Sequence, residues 1–252
     1  MNRRKENNMP SRIVFQRTAC LGVAALLLSG AYPHATAHTP ADQDQQAGHA
    51  GGSDTATRRQ QAAVKRIGDA VGVVNAMLQE PGMQDLLSRA RGVYIVPTYG
   101  RAALGVGGEG GSGVLMVRRA DGNWGNPAFF NIGGVSVGLQ VGVEGGPLAL
   151  LLMNQKAVDH FRNKNNFSLS ADVGLTVVNY TRLAQGMATG DVVAWSGHKG
   201  LFGNAATLAI NDIRYNQRLN EAYYGKAMTA LQTIDSTEKN SQADALRKVL
   251  GK

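Results

Sequence analysis

The stretch LGVGGEGGSGVLMVRRADG, residues 104–122, decides between two very different folds. Gly105, Gly107 and Gly110 have the G-x-G-x-x-G spacing of a dinucleotide-binding loop, which requires a helix that starts among the glycines. Here the glycines lead into the run GVLMVRR, residues 113–119, which is apolar up to its two arginines, and then into an Asp-Gly turn. This pattern is typical of a β-strand that ends in a turn. Because no helix is expected there, no dinucleotide or other cofactor is expected either.

The segment VSVGLQVGVEG, residues 135–145, carries the clearest strand pattern, since apolar and small or polar residues alternate over nine positions. Ser136 also lies in a G-x-S-x-G frame, which in esterases places the nucleophile on a sharp strand-to-helix turn. A serine inside a strand does not fit that turn. A hydrolase that pairs it with Asp172 or Asp191 and with His198 is therefore not favoured, and we expect no catalytic residues.

The glycines are concentrated in the middle of the chain, where 22 of the 32 lie between positions 92 and 203. Glycine weakens a strand, so glycines at alternate strand positions indicate bends, bulges or close neighbours. Further strands are predicted at 92–97, 148–153, 169–177, 191–197 and 204–212. A short helix is predicted at 154–163, and the tail from about 217 reads as helical. The fold class predicted is α+β, with a strongly curved antiparallel sheet or barrel packed with N-terminal and C-terminal helices.

A long amphipathic helix is predicted ahead of the sheet. Its apolar residues recur at steps of three and four, at Val64, Ile67, Val71, Val74 and Leu78. Ser53 or Asp54 can cap the start, Pro81-Gly82 ends the helix, and a short second helix follows. The apolar stripe either inserts into a membrane or packs on the core, and the residues alone favour the core.

The N-terminus has the order basic, apolar, small-x-small that is typical of a secretory signal peptide. We expect cleavage after Ala37, with a permanent N-terminal anchor as the alternative. Lipid attachment at Cys20 is a further alternative, but that cysteine precedes the apolar run. The predicted organisation is a signal peptide at 1–37, a flexible polar leader at 38–53 and a single domain at 54–252.

Net charge and the content of cysteine and histidine limit the functions that the sequence can have. Without residues 1–37 the formal net charge falls from +8 to +4, which suits an anionic surface and is weak support for nucleic-acid binding. Cys20 is the only cysteine, so the processed chain is expected to have neither disulfides nor thiol chemistry. His160 and His198 do not have metal-ligand spacing, so no metal site is expected.

Four segments in order resemble the SYLF domain, also called the Ysc84-type domain, from about residue 62 to the C-terminus. They read ARGVYIVPTYG, GVGGEGGSGVLMVRRADGNWGNPAFF, GVSVGLQVGVEGG and AWSGHKGLFGNAATLAINDIRYNQRLNEAYYG. The matching motif residues are Arg118, Asp121, Gly122, Trp124 and Pro127, then Gly138, Gln140 and Gly142, then Lys199 to Phe202, and finally Asn220, Tyr223, Tyr224 and Gly225.

The resemblance implies a non-catalytic protein that binds anionic phospholipids, and phosphoinositides in eukaryotic members. Eukaryotic members often carry SH3 or FYVE modules and are associated with actin. With its expected signal peptide this chain looks like a bacterial exported member, periplasmic or secreted and peripherally associated with the membrane, so actin is not an expected partner. Where members carry a G-P-x-G-like stretch, this chain has VVNYTRLAQGMATG at 177–190, which puts any lipid contact by that loop in doubt.

Basic residues are the candidate contacts with an anionic membrane, since each contributes about 1 kcal/mol near such a surface. The candidate lipid-binding residues are Arg58, Arg59, Lys65, Arg66, Arg118, Arg119, Arg162, Lys164 and Lys199. The alternative function is a structural or adhesion protein of the cell envelope that binds no lipid and uses its β surface for protein contact.

Overall fold

The predicted α+β fold, a curled and mainly antiparallel sheet packed with N-terminal and C-terminal helices, is confirmed. A computed structural model describes residues 47–101, 109–133, 146–169, 175–185, 190–197, 212–238 and 240–251. The strands are β1 (Gly92–Arg101), β2 (Glu109–Val117), β3 (Ala128–Gly133), β4 (Gly146–Leu152), β5 (Asn166–Phe167), β6 (Val177–Asn179), β7 (Val192–Ser196) and β8 (Ile213–Tyr215). Their order in the sheet is β5-β8-β3-β2-β1-β4-β7-β6, and every pair is antiparallel except β6 with β7.

Seven α-helices accompany the sheet in the described residues. They are α1 (Ala47–Met77), α2 (Met83–Arg89), α3 (Gln155–Asn163), α4 (Tyr180–Ala184), α5 (Gln217–Tyr224), α6 (Ala230–Asp235) and α7 (Asp244–Leu250). The predicted helix at 154–163 and the helical tail from about 217 are therefore confirmed. The predicted strand at 135–145 lies outside the described residues, as do Gly105, Gly107 and all of the predicted strand at 204–212 except Asp212, which is not in a strand.

Two helix boundaries differ from the sequence prediction. Helix α1 begins at Ala47, ahead of Ser53 and Asp54, so the end of the predicted leader, 47–53, is helical. The sequence predicts Pro81 in the first turn of the second helix, whereas this helix begins at Met83, because the preceding Gly82 has a φ of 80° in the left-handed region, which a right-handed helix does not adopt.

The prediction that Pro97 ends the first strand is wrong, because β1 continues to Arg101. The pairing register shifts between Ile95 and Tyr99 on the β2 side and between Val96 and Tyr99 on the β4 side. Proline has no N–H to give to a ladder and is tolerated at such a bulge. The bulge bends the central strand, in keeping with the predicted curvature.

Both faces of the central strands are covered, which accounts for the long apolar runs in these strands. On one face α1, α2, α5 and α7 pack on strand residues such as Ile95, Val114 and Leu151. On the other face α3 and α6 pack on their neighbours, such as Tyr94 and Leu150. The alternation of side chains along each strand separates the two cores.

The apolar stripe of α1 is part of the first core. Ile67, Val74 and Met77 are at most 1 % exposed, and Val64 and Val71 pack at the edge of the same core. Burial of each such side chain contributes about 1.5–3 kcal/mol to stability. The alternative that the sequence favoured, a stripe that packs on the core, is therefore the one found.

Gly113 in β2 tests how closely the central strands pack. A Cβ at this position would lie 2.4 Å from the carbonyl oxygen of Ile95 and 2.8 Å from the Tyr94 ring. We expect Gly113→Ala to lower the free energy of unfolding by at least about 2 kcal/mol, because backbone must move to admit the methyl group. Urea denaturation followed by circular dichroism measures this change.

The matched control is Gly72→Ala on α1, where an added Cβ meets nothing within 4 Å. We expect this variant to be unchanged or more stable by about 0.5–1 kcal/mol, since alanine favours the helix. Equal stability of the two variants would contradict the close packing described for β2.

Candidate functional site

The N-terminal half of α1 carries two arginines, Arg58 and Arg59. None of residues 54–62 is buried, and Ala63, which follows them, is buried. Arg58 is exposed and Arg59 is half-buried, and neither forms an ion pair or hydrogen bond with another described residue. Two cations without a partner among the described residues, on a helix segment that is not buried, form a positive surface available to an external anion.

Lys65 and Arg66 lie two turns further along the same helix. Lys65 Nζ is 2.7 Å from Asp69 Oδ2, but its side chain is 75 % exposed, so this pair stabilises the helix only weakly. Arg66 Nη1 donates to Ser112 Oγ in β2 at 2.9 Å. Burial lowers the pKa of Arg66 below its usual value, although Tyr94 and Asp69 act in the opposite direction.

Arg118 is bound within the protein. Its guanidinium donates to the carbonyl oxygens of Leu87 (3.1 Å), Ala90 (3.3 Å) and Gly122 (2.8 Å) and lies 4.4 Å from the centre of the Trp124 ring. Two of these carbonyls belong to the C-terminal end of α2, where acceptors lack helical partners. Arg118 thus caps α2 and fastens it to the end of β2.

Arg119 and Arg162 also have partners inside the protein. Arg119 Nη2 donates to the Ser236 carbonyl at 2.8 Å, and Arg162 Nη2 lies 2.5 Å from Asp235 Oδ2, joining α3 to α6. Lys164, just after α3, is exposed and has no ion pair with a described residue. Lys199 lies outside the described residues.

The predicted basic residues therefore do not form one surface. Those on α1 lie on one face of the sheet, those on and after α3 belong to the opposite face, and the Arg118–Arg119 pair lies at the end of β2 beside α2. The structure brings together only the four on α1, and they form the candidate site. Sequence reasoning missed Ser112, the partner of Arg66, because nothing in the local pattern relates positions 46 residues apart.

The motif residues of the R-x-x-D-G-x-W turn have structural contacts. Asp121 Oδ1 accepts from the Asn123 N–H, and Gly122 adopts a φ of 83° that suits glycine. Trp124 Nε1 donates to the Leu250 carbonyl at 3.0 Å, so the turn holds α7 in place.

The closing N-x-x-Y-Y-G motif forms a second clamp. The fully buried Asn220 donates to the carbonyls of Phe129 and Asn216 and accepts from the Phe129 N–H, with distances of 2.8–3.0 Å. Tyr224 donates its hydroxyl proton to the Pro127 carbonyl. These contacts join α5 to β3, and the motif serves the fold.

The residues considered for enzyme chemistry show no catalytic arrangement within the described part of the chain. Asp191 accepts hydrogen bonds from the Thr176 N–H at 2.8 Å and from the Asn154 side chain. These bonds, chiefly the one from Thr176, lower the pKa of Asp191, although its partial burial acts in the opposite direction. His160 packs near Phe167, and burial lowers its pKa, with Lys164 and Lys156 adding to the effect. Ser136, Asp172 and His198 lie outside the described residues.

The same residues offer no group of three or more His, Cys, Asp or Glu side chains that could hold a metal ion. Nor does any helix among them have the length and apolar character needed to cross a membrane.

Comparison with known proteins adds the family. The model of the Ysc84 family, described as "Las17-binding protein actin regulator", matches residues 133–252. Residues 133–252 thus match a Ysc84/SYLF-family domain. The chain's resemblance to that family is thereby confirmed, while an exported bacterial origin stays a prediction.

Relatives of this domain occur in yeast and human. The chain is 30 % identical over 173 residues to LAS seventeen-binding protein 3 of Saccharomyces cerevisiae, covering 66 % of this chain and 37 % of that protein. It is 28 % identical over 172 residues to Protein YSC84 of the same yeast, covering 66 % and 36 %. The human SH3 domain-containing YSC84-like protein 1 is 25 % identical over 170 residues, covering 66 % and 49 %.

The chain thus spans less than half the length of each of these relatives. No solved structure matches it.

Arg118→Lys tests the structural assignment of Arg118. Lysine keeps the charge but cannot donate to three carbonyls in a fork, so we expect the free energy of unfolding to fall by about 2 kcal/mol. Chemical denaturation measures the change. The control is Arg218→Lys on α5, an exposed position without a bond to a described residue, where we expect a change within about 0.5 kcal/mol. An Arg118→Lys protein as stable as this control would contradict the capping role.

Proposed function

We propose that this protein is a non-catalytic component of the bacterial cell envelope that binds anionic phospholipid surfaces through the N-terminal half of α1. The observation that carries the proposal is the pair Arg58 and Arg59, two cations without partners among the described residues on a helix segment with no buried side chain. Lys65 and Arg66 extend the positive charge along the helix towards the sheet.

The mode of contact follows from the burial of the apolar stripe. Ile67, Val74 and Met77 belong to the core, so insertion of that stripe into a bilayer would remove it from the sheet and expose the core. The segment before the stripe, residues 54–62, contains no large apolar residue. Binding is therefore electrostatic and stays at the depth of the lipid headgroups.

The strength of this contact is modest. At about 1 kcal/mol for each basic residue near the surface, four residues supply about 4 kcal/mol, equivalent to a dissociation constant of about 1 mM. A protein held by these residues alone is a reversible, peripheral binder. Tight retention on a membrane requires several copies or additional headgroup contacts.

The family description supports a role in binding, and it also suggests partners other than a membrane. The family description names Las17 binding and actin regulation. Those words describe relatives that are at least twice as long as the shared region. For a protein exported to the periplasm or beyond we expect a membrane surface as the partner, without nucleic acid or actin.

Charge reversal on the exposed part of α1 tests the proposal. We expect Arg58→Glu/Arg59→Glu to weaken binding to phosphatidylcholine vesicles that contain phosphatidylglycerol by at least about 30-fold, because two attractive charges are lost and two repulsive ones added. Co-sedimentation of the protein with the vesicles measures the affinity.

Lys164→Glu/Lys248→Glu is the matched control, since it changes the net charge equally at two exposed positions on other elements. We expect this control to retain most of the affinity. An equal loss in both variants would show an effect of net charge alone and refute the α1 site. Absence of vesicle binding by the unmodified chain would favour the envelope protein that acts through protein contacts.

A further inference from the structure

A row of polar side chains crosses four neighbouring strands at one level of the sheet. Ser112 of β2 is the pairing partner of Asn131 of β3, which pairs with Arg214 of β8, which pairs with Asn166 of β5. Paired residues in antiparallel strands project to the same face. We call these four residues the polar row.

The polar row lies on the face that carries α1 and is open to solvent. Asn131, Arg214 and Asn166 are exposed and Ser112 is half-buried, whereas their strand neighbours Phe130, Ile132, Ile213 and Phe167 are buried on the opposite face. Arg66 borders the row at Ser112, and Asn216, the N-cap of α5, donates to Asn131 Oδ1 at 3.0 Å. The sheet here presents hydrogen-bonding groups where a core face would present apolar ones.

One guanidinium group, that of Arg214, belongs to this row and another, that of Arg66, borders it, and the described residues occupy few of their donors. A guanidinium has five N–H donors. Arg66 gives one to Ser112, and Arg214 gives its Nε–H to Asp212 Oδ1 at 2.5 Å. Asp69, the carboxylate nearest to Arg66 along the helix, is bound to Lys65. Arg66 is therefore a partly buried cation without a carboxylate bound to it among the described residues, an arrangement that favours binding of an external anion.

The spacing along the row, from Ser112, where Arg66 bonds, to Arg214, indicates the class of ligand. Adjacent strands are about 4.8 Å apart, so the positions of Ser112 and Arg214 are separated by about 10 Å, with Asn131 midway. Guanidinium forks match phosphate oxygens, and an amide between them can bond a hydroxyl group. The complementary ligand carries two phosphates joined by a short hydroxylated linker.

We propose that the polar row, together with Arg66, binds the headgroup of an anionic lipid in which two phosphates are joined by a short polyol, as in cardiolipin. This inference rests on the proposed membrane binding and assigns selectivity to a second set of residues. Arg58 and Arg59 provide attraction to any anionic surface, while the polar row distinguishes a bisphosphate headgroup from single phosphates.

The test compares two sets of phosphatidylcholine vesicles that carry the same number of anionic phosphates, supplied by cardiolipin or by phosphatidylglycerol. We expect the full chain to bind the cardiolipin vesicles about ten-fold more tightly. Arg66→Gln/Arg214→Gln is expected to bind both vesicles equally, while Lys164→Gln/Lys248→Gln, with the same loss of charge, keeps the preference. Asn131→Ala, at an exposed position, reduces the preference by about three-fold and serves if the double variant fails to fold.

Soluble probes separate the headgroup chemistry from the membrane. We expect fructose 1,6-bisphosphate to compete with cardiolipin vesicles at concentrations where inorganic phosphate does not. A bisphosphate that binds the chain while neither vesicle type does would overturn the assignment to a lipid.

Equal binding of both vesicle types by the unmodified chain would overturn the selectivity of the polar row and leave the proposed function standing. A preference that persists in the folded double variant and in Asn131→Ala would do the same. Failure to bind either vesicle type would instead refute the proposed function and this inference together.

Discussion

The packing of one stripe of α1 on the sheet determines how the rest of the molecule can act. Ile67, Val74 and Met77 are buried in the core on this face of the sheet, together with Ala63 and Ala70. This contact fixes the helix across the sheet and commits its apolar side to the core. Only its polar sides, and the segment ahead of Ala63, are left to meet another surface. The sequence left insertion of this stripe into a membrane open as an alternative, and its burial leaves only the polar residues of the helix to contact an anionic surface.

The basic residues divide according to their partners. Arg118 and Arg119 bond to backbone carbonyls and Arg162 to a carboxylate, so they hold helices to the sheet. Arg58 and Arg59 have no such bond within the described residues. Arg66 is intermediate, since one of its N–H groups binds Ser112 and the others bond to no described residue. Net charge alone therefore overstates the surface that can bind a membrane.

Local sequence patterns predicted helices and strands, whereas other features depend on contacts between residues that are far apart in the chain. The run GVLMVRR and the Asp-Gly turn predicted the strand that is observed as β2, and the three-and-four spacing predicted α1. Pro97 was misjudged as a strand end because a bulge in β1 depends on both neighbouring strands. The role of Arg118 depends on carbonyls 28 and 31 residues away, and the polar row depends on strand register. Neither leaves a signal in a short window of sequence.

The salt dependence of vesicle binding by the unmodified chain tests the central claim most directly. The account predicts binding to vesicles with anionic lipid and none to neutral vesicles, with an affinity that falls steeply as ionic strength rises and the Debye length shrinks from about 10 Å at 0.1 M to about 3 Å at 1 M. Binding that is independent of salt, or equal on neutral vesicles, would contradict it. Such a result would mean that apolar side chains enter the membrane and that the stripe of α1 leaves the core.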